Sequence, residues 1–218
     1  MKVMTELRIT REWLDWDSTG ADLAVGSEEA TLRIPGISLE ARASAVEMVR
    51  GSLAAGETLA DALEASLGED FARELPHGEV LADDVVLVDA SYVVQASRAV
   101  DATKSVSTLA RGSRRVVAVA GALDFSGASD YDNLSAFGAF MVRLNVTQVF
   151  AVGRGARALF LSVGMEGSWD GESRFCDDSV SAYDDIRAHI RPGDVLLVLG
   201  STDESFTTLV QKLRDDLA

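Results

Sequence analysis

The sequence predicts an α/β protein. A doubly wound, mostly parallel sheet is expected over residues 80–218, preceded by a small α+β region over residues 1–79. Three observations carry this expectation. Past Val80, apolar runs of four to six residues recur, as strands buried on both faces require. Each run is followed by a stretch of helical character, and that alternation implies parallel strands joined by crossovers. Before Ser38 the pattern instead alternates in short pieces between turn signals, which marks strands in hairpins.

The elements follow in order. "LRITREWL" alternates and reads as the first strand, and "DSTG" reads as its turn. "DLAV" and "ATLRI" are the next two strands, with "GSEE" between them, and Pro35-Gly36 closes the section. From Ser38 the period becomes helical. Leu39, Arg42, Ala43, Val46, Val49, Arg50 and Leu53 share one side of a helix that ends near Gly56. Thr58 and Asp61 form a weaker version of the capping box, which starts a second short helix. Ala60, Leu63 and Leu67 are its expected inner face, and Gly68 its stop. "GEDFARELPHGEV" reads as a connector. Then come five strands, "VVLVDA", "RVVAVAG", "QVFAVG", "SRFCD" and "DVLLVLG", each leading into a helix.

Composition narrows the function classes. The 218 residues are 47% hydrophobic and 25% charged, which suits a globular protein. No stretch reaches the ~18 consecutive apolar residues of a membrane span, and "MKVMTELRITREW" lacks the apolar core of a secretory signal. The formal net charge of −15 argues against nucleic acid, which requires a basic face, and against anionic membrane surfaces. One cysteine, Cys176, allows no internal disulfide and fits a cytoplasmic location. It reads as a small buried residue rather than a thiolate. With two histidines, His77 and His189, and one cysteine, a transition-metal site is not expected.

In sheets of this kind, ligands bind beyond the carboxyl ends of the strands. Those ends carry Asp89, Ser91 and Tyr92, then Asp124, then Gly153-Arg154-Gly155, and finally Ser201 and Asp203. Asp89, Ser91, Tyr92, Asp124, Arg154 and Ser201 are therefore the candidate ligand-binding residues, with no catalytic or metal-ligating residue assigned. If their strands are neighbours, Asp89 and Asp124 could hold Mg²⁺ or ribose hydroxyls. The plainer reading is that Asp89, Ser91 and Asp203 cap helices and turns. No G-x-x-x-x-G-K-[ST], G-x-G-x-x-G or G-x-S-x-G occurs in the chain, so the common phosphate cradles and the nucleophile elbow are not expected. At the last strand, Asp203 and Glu204 would compete with an anion for the helix start.

The order of parts resembles the Mur ligases over about residues 30–218. "LRIPG" with its alanine-rich helix is similar to the end of that family's central domain. "GEVLADDVVLVDASY" is similar to the entry into its C-terminal domain. "VVAVAGALDFSG", "VTQVFAVGRGARAL" and "PGDVLLVLGS" are similar to later strands and their loops. The resemblance implies a Rossmann-like C-terminal domain and a role in peptidoglycan precursor synthesis. It also implies that Asp89, Ser91 and Tyr92 stand where the family's Asp-Asp-Ser-Tyr-Asn-Ala-Asn-Pro contacts nucleotide. The chain departs at Val93, Val94, Gln95 and Ala96. It departs again at Ser38, Leu39 and Arg42, where the family shows His-Asn and a second Asn. Leu134 stands for a histidine and Leu199 for a lysine. Each polar-to-apolar change removes a group that a polar substrate would use.

The family's UDP-binding domain and most of its ATPase domain have no counterpart in these 218 residues. No cofactor is therefore assigned, and ATP with Mg²⁺ is expected only if the missing parts are supplied. The expected role is a binding or partner module, with a wall-synthesis protein or a second copy as partner. The alternative is a piece of an ATP-dependent amide-forming ligase whose ATPase part lies on another or longer chain.

Overall fold

The computed structural model describes residues 6–67, 75–125, 130–167, 169–200 and 205–218. The chain divides into two compact units, Met1–His77 and Gly78–Ala218.

In the first unit, β1 (Leu7–Leu14), β2 (Ser18–Val25) and β3 (Glu28–Pro35) form an antiparallel sheet in the order β1-β2-β3. The first turn lies at Asp15–Asp17, closed by the Asp15 amide on the Ser18 carbonyl at 2.8 Å. The "DSTG" turn signal is thus corrected, because Ser18, Thr19 and Gly20 already belong to β2. Gly20 is required there by close approach. A Cβ on it would lie 2.2 Å from the Leu32 carbonyl oxygen and 2.3 Å from the Trp13 indole. The second turn is the two-residue Gly26-Ser27, with Gly26 at φ 64°, so Glu28 and Glu29 start β3 instead of ending a loop.

Helix α1 (Leu39–Ala55) starts at Ser38, whose hydroxyl accepts from the Ala41 amide at 2.9 Å, and ends on Gly56 in the left-handed region. Helix α2 (Leu59–Ser66) starts at Thr58, which accepts from the Asp61 amide. The inner faces match those expected at Val46, Val49, Leu53 and Leu63, which are in or packed against the core, and differ elsewhere. Ala41, Ala45, Val46 and Val49 are buried in α1, while Ala43 and Arg50 are exposed. In α2 the buried residues are Leu59, Ala62 and Ser66, while Ala60 and Leu67 are exposed. These faces pack on Ala21, Leu23, Leu32 and Ile34 of the sheet. Gly68, the expected stop of α2, lies outside the described residues.

The second unit is built on a six-stranded sheet in the order β4-β5-β9-β6-β7-β8. Its strands are β4 (Gly78–Val80), β5 (Val86–Ala90), β6 (Val116–Ala120), β7 (Gln148–Val152), β8 (Glu172–Cys176) and β9 (Val195–Leu199). β4 pairs antiparallel with β5, and every other pairing is parallel. The expected boundary between residues 79 and 80 falls inside β4, which joins the second unit.

The helices are α3 (Ala96–Ala110), α4 (Asp130–Arg143), α5 (Arg157–Met165), α6 (Ser179–His189) and α7 (Ser205–Leu217). α6 and α7 cover one face, where Ala182, Ile186, Phe206, Leu209, Val210 and Leu213 pack on Leu87, Val117, Val119, Phe150, Leu196 and Val198. α3 and α5 lie against the strands from the other side. Strands β6, β7 and β9 are buried along their whole length, as the unbroken apolar runs require. The architecture is the doubly wound, mostly parallel sheet that the sequence predicts. Among the described residues, no helix is long and apolar enough to cross a membrane.

Candidate functional site

Insertion of β9 between β5 and β6 decides how the carboxyl-end loops are arranged. The strands carrying Asp89 and preceding Asp124 are not neighbours, so the condition for a shared pair of carboxylates fails at the level of the sheet. Their loops meet instead above the end of β9. The Asp124 amide donates to the Val94 carbonyl at 2.7 Å, and the Ala96 amide donates to the Asp124 carbonyl at 3.0 Å. Gln95 and Asp124 thereby form an isolated parallel bridge. Beneath them, the Gly200 amide donates to the Val93 carbonyl at 3.1 Å.

Asp89 sits near the end of β5 and turns its side chain back into the protein. Its Oδ1 accepts from both the Ser91 amide at 3.0 Å and the Ser91 hydroxyl at 2.7 Å. This is an Asx-type turn that ends the strand. Its Oδ2 lies 3.6 Å from Arg214 Nη2 on α7, and Arg214 Nε donates to Glu79 on β4 at 2.6 Å. The Glu79 hydrogen bond holds the Arg214 guanidinium above its ordinary value, and Asp89 adds to it. Asp89 and Ser91 therefore join β4, β5 and α7. Tyr92 is 47% exposed, and Val93 beside it is 2% exposed.

Arg154 lies exposed on a single 3₁₀ turn after β7. The flanking glycines have backbone reasons. Gly153 has φ 78°, and a Cβ on Gly155 would lie 2.6 Å from that of Ala122 in the loop after β6. Ser201, the remaining candidate, lies outside the described residues, as do Asp203 and Glu204.

Binding of a phosphate at strand-end loops requires free backbone N–H groups pointing outward. Here Ser91 donates its amide to Asp89, Val93 to Ala90, Asp124 to Val94, Gly153 to Cys176 and Gly200 to Val93. Each of these amides is spent inside the protein. Among the described residues, no three of His, Cys, Asp and Glu come together as metal ligands would. Those five amides are thus unavailable to a phosphate at this edge.

Several positions left open by sequence acquire a structural role. Ser38 caps α1, and Arg42 bonds the Trp13 carbonyl at 3.0 Å and Glu12 at 3.2 Å. Leu134 and Leu199 are core residues, 4% and 0% exposed. Cys176 is buried, and its thiol is pushed up to about 12 by desolvation first and by Asp185 second, so it stays protonated. The backbone meeting of Val94, Gln95 and Asp124 had no signal in the sequence, since it depends on strand order.

Compared with known proteins, this second unit and its neighbour are Mur-ligase-like in fold. The chain superposes on the crystal structure of MurF from Acinetobacter baumannii with a TM-score of 0.68 and 18% identity, covering 96% of this chain and 45% of that one. The crystal structure of the UDP-N-acetylmuramate-alanine ligase MurC from Thermotoga maritima gives 0.63 at 13% identity, with 96% and 46% covered. In sequence, 106 residues are 33% identical to the UDP-N-acetylmuramoyl-tripeptide–D-alanyl-D-alanine ligase of Mycobacterium leprae. That match covers 48% of this chain and 20% of the relative, and the chain spans less than half the length of each of these three relatives. No family model matches the chain.

Proposed function

We propose that this chain is a Mur-ligase-like module of bacterial peptidoglycan precursor synthesis, acting in the cytoplasm by binding a ligand or a partner and not by ligation on its own. The observation that carries this reading is the occupied backbone at the carboxyl edge. The amides of Ser91, Val93, Asp124, Gly153 and Gly200 all donate internally. Acyl-phosphate formation would require donors that hold ATP and Mg²⁺ in line with an acceptor. Two further features support the reading. Val93 is buried in the loop where the resemblance expects polar side chains, and Leu134 and Leu199 are core residues where it expects a histidine and a lysine.

Calorimetric titration with ATP, UDP-muramoyl-peptides and D-alanyl-D-alanine tests the proposal. Weak binding of a peptide or nucleotide ligand without turnover is the expected result. Sustained ATP hydrolysis or amide formation by the isolated chain would overturn it.

A second reading is favoured by Tyr92, which stands 47% exposed beside the retained Asp89 and Ser91. In this reading the chain is one part of an ATP-dependent acid–amino-acid ligase, and the ATPase part lies on another or longer chain. Co-purification followed by an ATPase assay separates the two. Recovery of a partner carrying a phosphate loop, with activity lost on Tyr92→Ala, favours the second reading.

A further inference from the structure

The sheet of the second unit ends on an open strand. β8 has β7 on one side and no described strand on the other. The Glu172 amide donates to the Thr147 carbonyl at 3.1 Å, and the Cys176 carbonyl accepts from the Gly153 amide at 2.9 Å. Backbone groups alternate in direction along a strand, so Glu172, Arg174 and Cys176 turn theirs toward β7. Ser173 and Phe175 turn their amides and carbonyls outward, where no described residue bonds them.

Proteins commonly blunt such edges with proline, lysine, a bulge or a very short strand. β1 is interrupted by a bulge between Ile9 and Arg11, β3 ends on Pro35, and β4 has three residues. β8 has none of these devices. Its register with β7 is unbroken, and its sequence, ESRFC, holds no proline or lysine. On its α5 side, Phe175 packs on Phe160 with ring centres 5.9 Å apart, and both are half-buried. Leu161 on α5 is 39% exposed. Gly164 is exposed above Ser173, since a Cβ on it would lie 3.4 Å from the Ser173 hydroxyl oxygen. α5 therefore carries no side chain at that point. On the α6 side stand Glu172 and Arg174, whose side chains are 54% and 34% exposed.

We propose that β8 pairs antiparallel with β8 of a second copy of this chain, about a two-fold axis at Ser173. The occupant is a second copy because the strand is self-complementary in that register. The outward backbone groups pair Ser173 with Ser173 of the other copy, and Phe175 with Gly171. Glu172 of each copy then lies directly opposite Arg174 of the other, on one face of the sheet, so two opposite-charge pairs form across the axis. Gly164 lies beside that axis, which lets the two α5 helices approach while Phe160 and Phe175 are covered. The two six-stranded sheets become one continuous sheet. This dimer requires no ligand at the carboxyl edge and is independent of the function proposed above.

Sedimentation equilibrium of the whole chain, at concentrations up to about 1 mM, measures the association. Amide hydrogen exchange, which needs no variant, is expected to slow at Ser173 and Phe175 as concentration rises and to stay unchanged at Glu172 and Arg174. Glu172→Arg puts arginine opposite arginine in both pairs, and Arg174→Glu puts glutamate opposite glutamate. Each variant alone is expected to weaken self-association roughly tenfold or more. Mixed in equal amounts, the two variants are expected to form a one-to-one dimer, because every cross-strand pair is then of opposite charge. The Arg174–Glu172 pair within one chain, at 2.7 Å, is absent from both variants, so it cannot supply that gain. Three results would each overturn the proposal: a natural chain that stays monomeric through this range, a dimer whose Ser173 and Phe175 amides exchange as fast as in the monomer, or folded variants whose mixture associates no better than each alone.

Discussion

The Gly200 amide donates to the Val93 carbonyl at 3.1 Å, and a methyl group placed on Gly200 would lie 2.1 Å from that same oxygen. The end of β9 and the loop after β5 are therefore as close as two backbones can be. Gly200→Ala cannot be accommodated by a side-chain movement, because its obstacles are the Val93 carbonyl and carbonyl carbon. The variant is expected to lose about 1–3 kcal/mol in urea unfolding. Val93, now 2% exposed, is expected to become accessible, which amide hydrogen exchange across residues 91–96 would register.

Asp89 and Ser91 form a unit that the protein uses for itself. The Asp89 carboxylate takes the Ser91 amide and hydroxyl together, with Arg214 on its other oxygen. In a double-mutant cycle of Asp89→Asn and Ser91→Ala, the coupling is expected to be about 0.5–1.5 kcal/mol of stability. Equal, additive losses would show that the two residues do not act as one turn.

Much of the second unit was legible because its strands are unbroken apolar runs. The "VVAVA" of β6 and "VLLVL" of β9 permit no reading other than burial on both faces. The phases of α1 and α2 were legible only in part, at Val46, Val49, Leu53 and Leu63. In α1 the inner and outer faces both carry alanine, Ala41 and Ala45 inside against Ala43 outside, so the pattern has little direction. Strand β4 escaped because three residues with one apolar side chain leave no period. Gly20 reads as a turn residue, yet it lies mid-strand because the Trp13 indole occupies the space of a side chain. At the carboxyl edge, the residue types were visible but their partners were not. Nothing in the local sequence says that β9 enters between β5 and β6, and that insertion alone decides that Asp124 meets Val94 and not Asp89.

A bidentate pair ties the start of β6 to the start of β9. Arg115 Nε and Nη2 bond the two oxygens of Asp194 at 3.0 and 2.7 Å, while the Arg191 amide also donates to Asp194 at 2.8 Å. The Asp194 side chain is 3% exposed and that of Arg115 is 22% exposed. Asp194→Ala leaves the Arg115 guanidinium in a half-closed site without its counter-charge. The expected loss is about 2–4 kcal/mol by chemical denaturation, below the full cost of a completely buried pair because Arg115 reaches water. Arg115→Met is expected to cost at least as much, since the orphaned Asp194 is the more deeply buried partner. A loss under about 0.5 kcal/mol in both variants would place this pair with ordinary surface ion pairs.

Cys176 ends β8 with its thiol against Asp185, Sγ to Oδ2 at 3.7 Å. Burial is the larger cause and the Asp185 charge the next, and together they push the thiol from 9.0 up to about 12. The sign follows directly. The folded protein holds the proton more tightly than the unfolded chain, so this contribution to stability is fully present below pH 9. It is lost as pH rises from about 9 through about 12. At pH 8 the native thiol therefore carries roughly a thousandfold less thiolate than the unfolded one. Iodoacetamide labelling of the native protein at pH 8 is expected to be slower than that of the urea-unfolded chain by at least that factor, because burial also blocks access. Asp185→Asn removes the like charge and leaves the burial, so it is expected to lower the thiol's value in part and speed native labelling modestly. Native labelling at the unfolded rate would mean that the end of β8 opens as fast as the reagent reacts, and Cys176 would then be no part of the core.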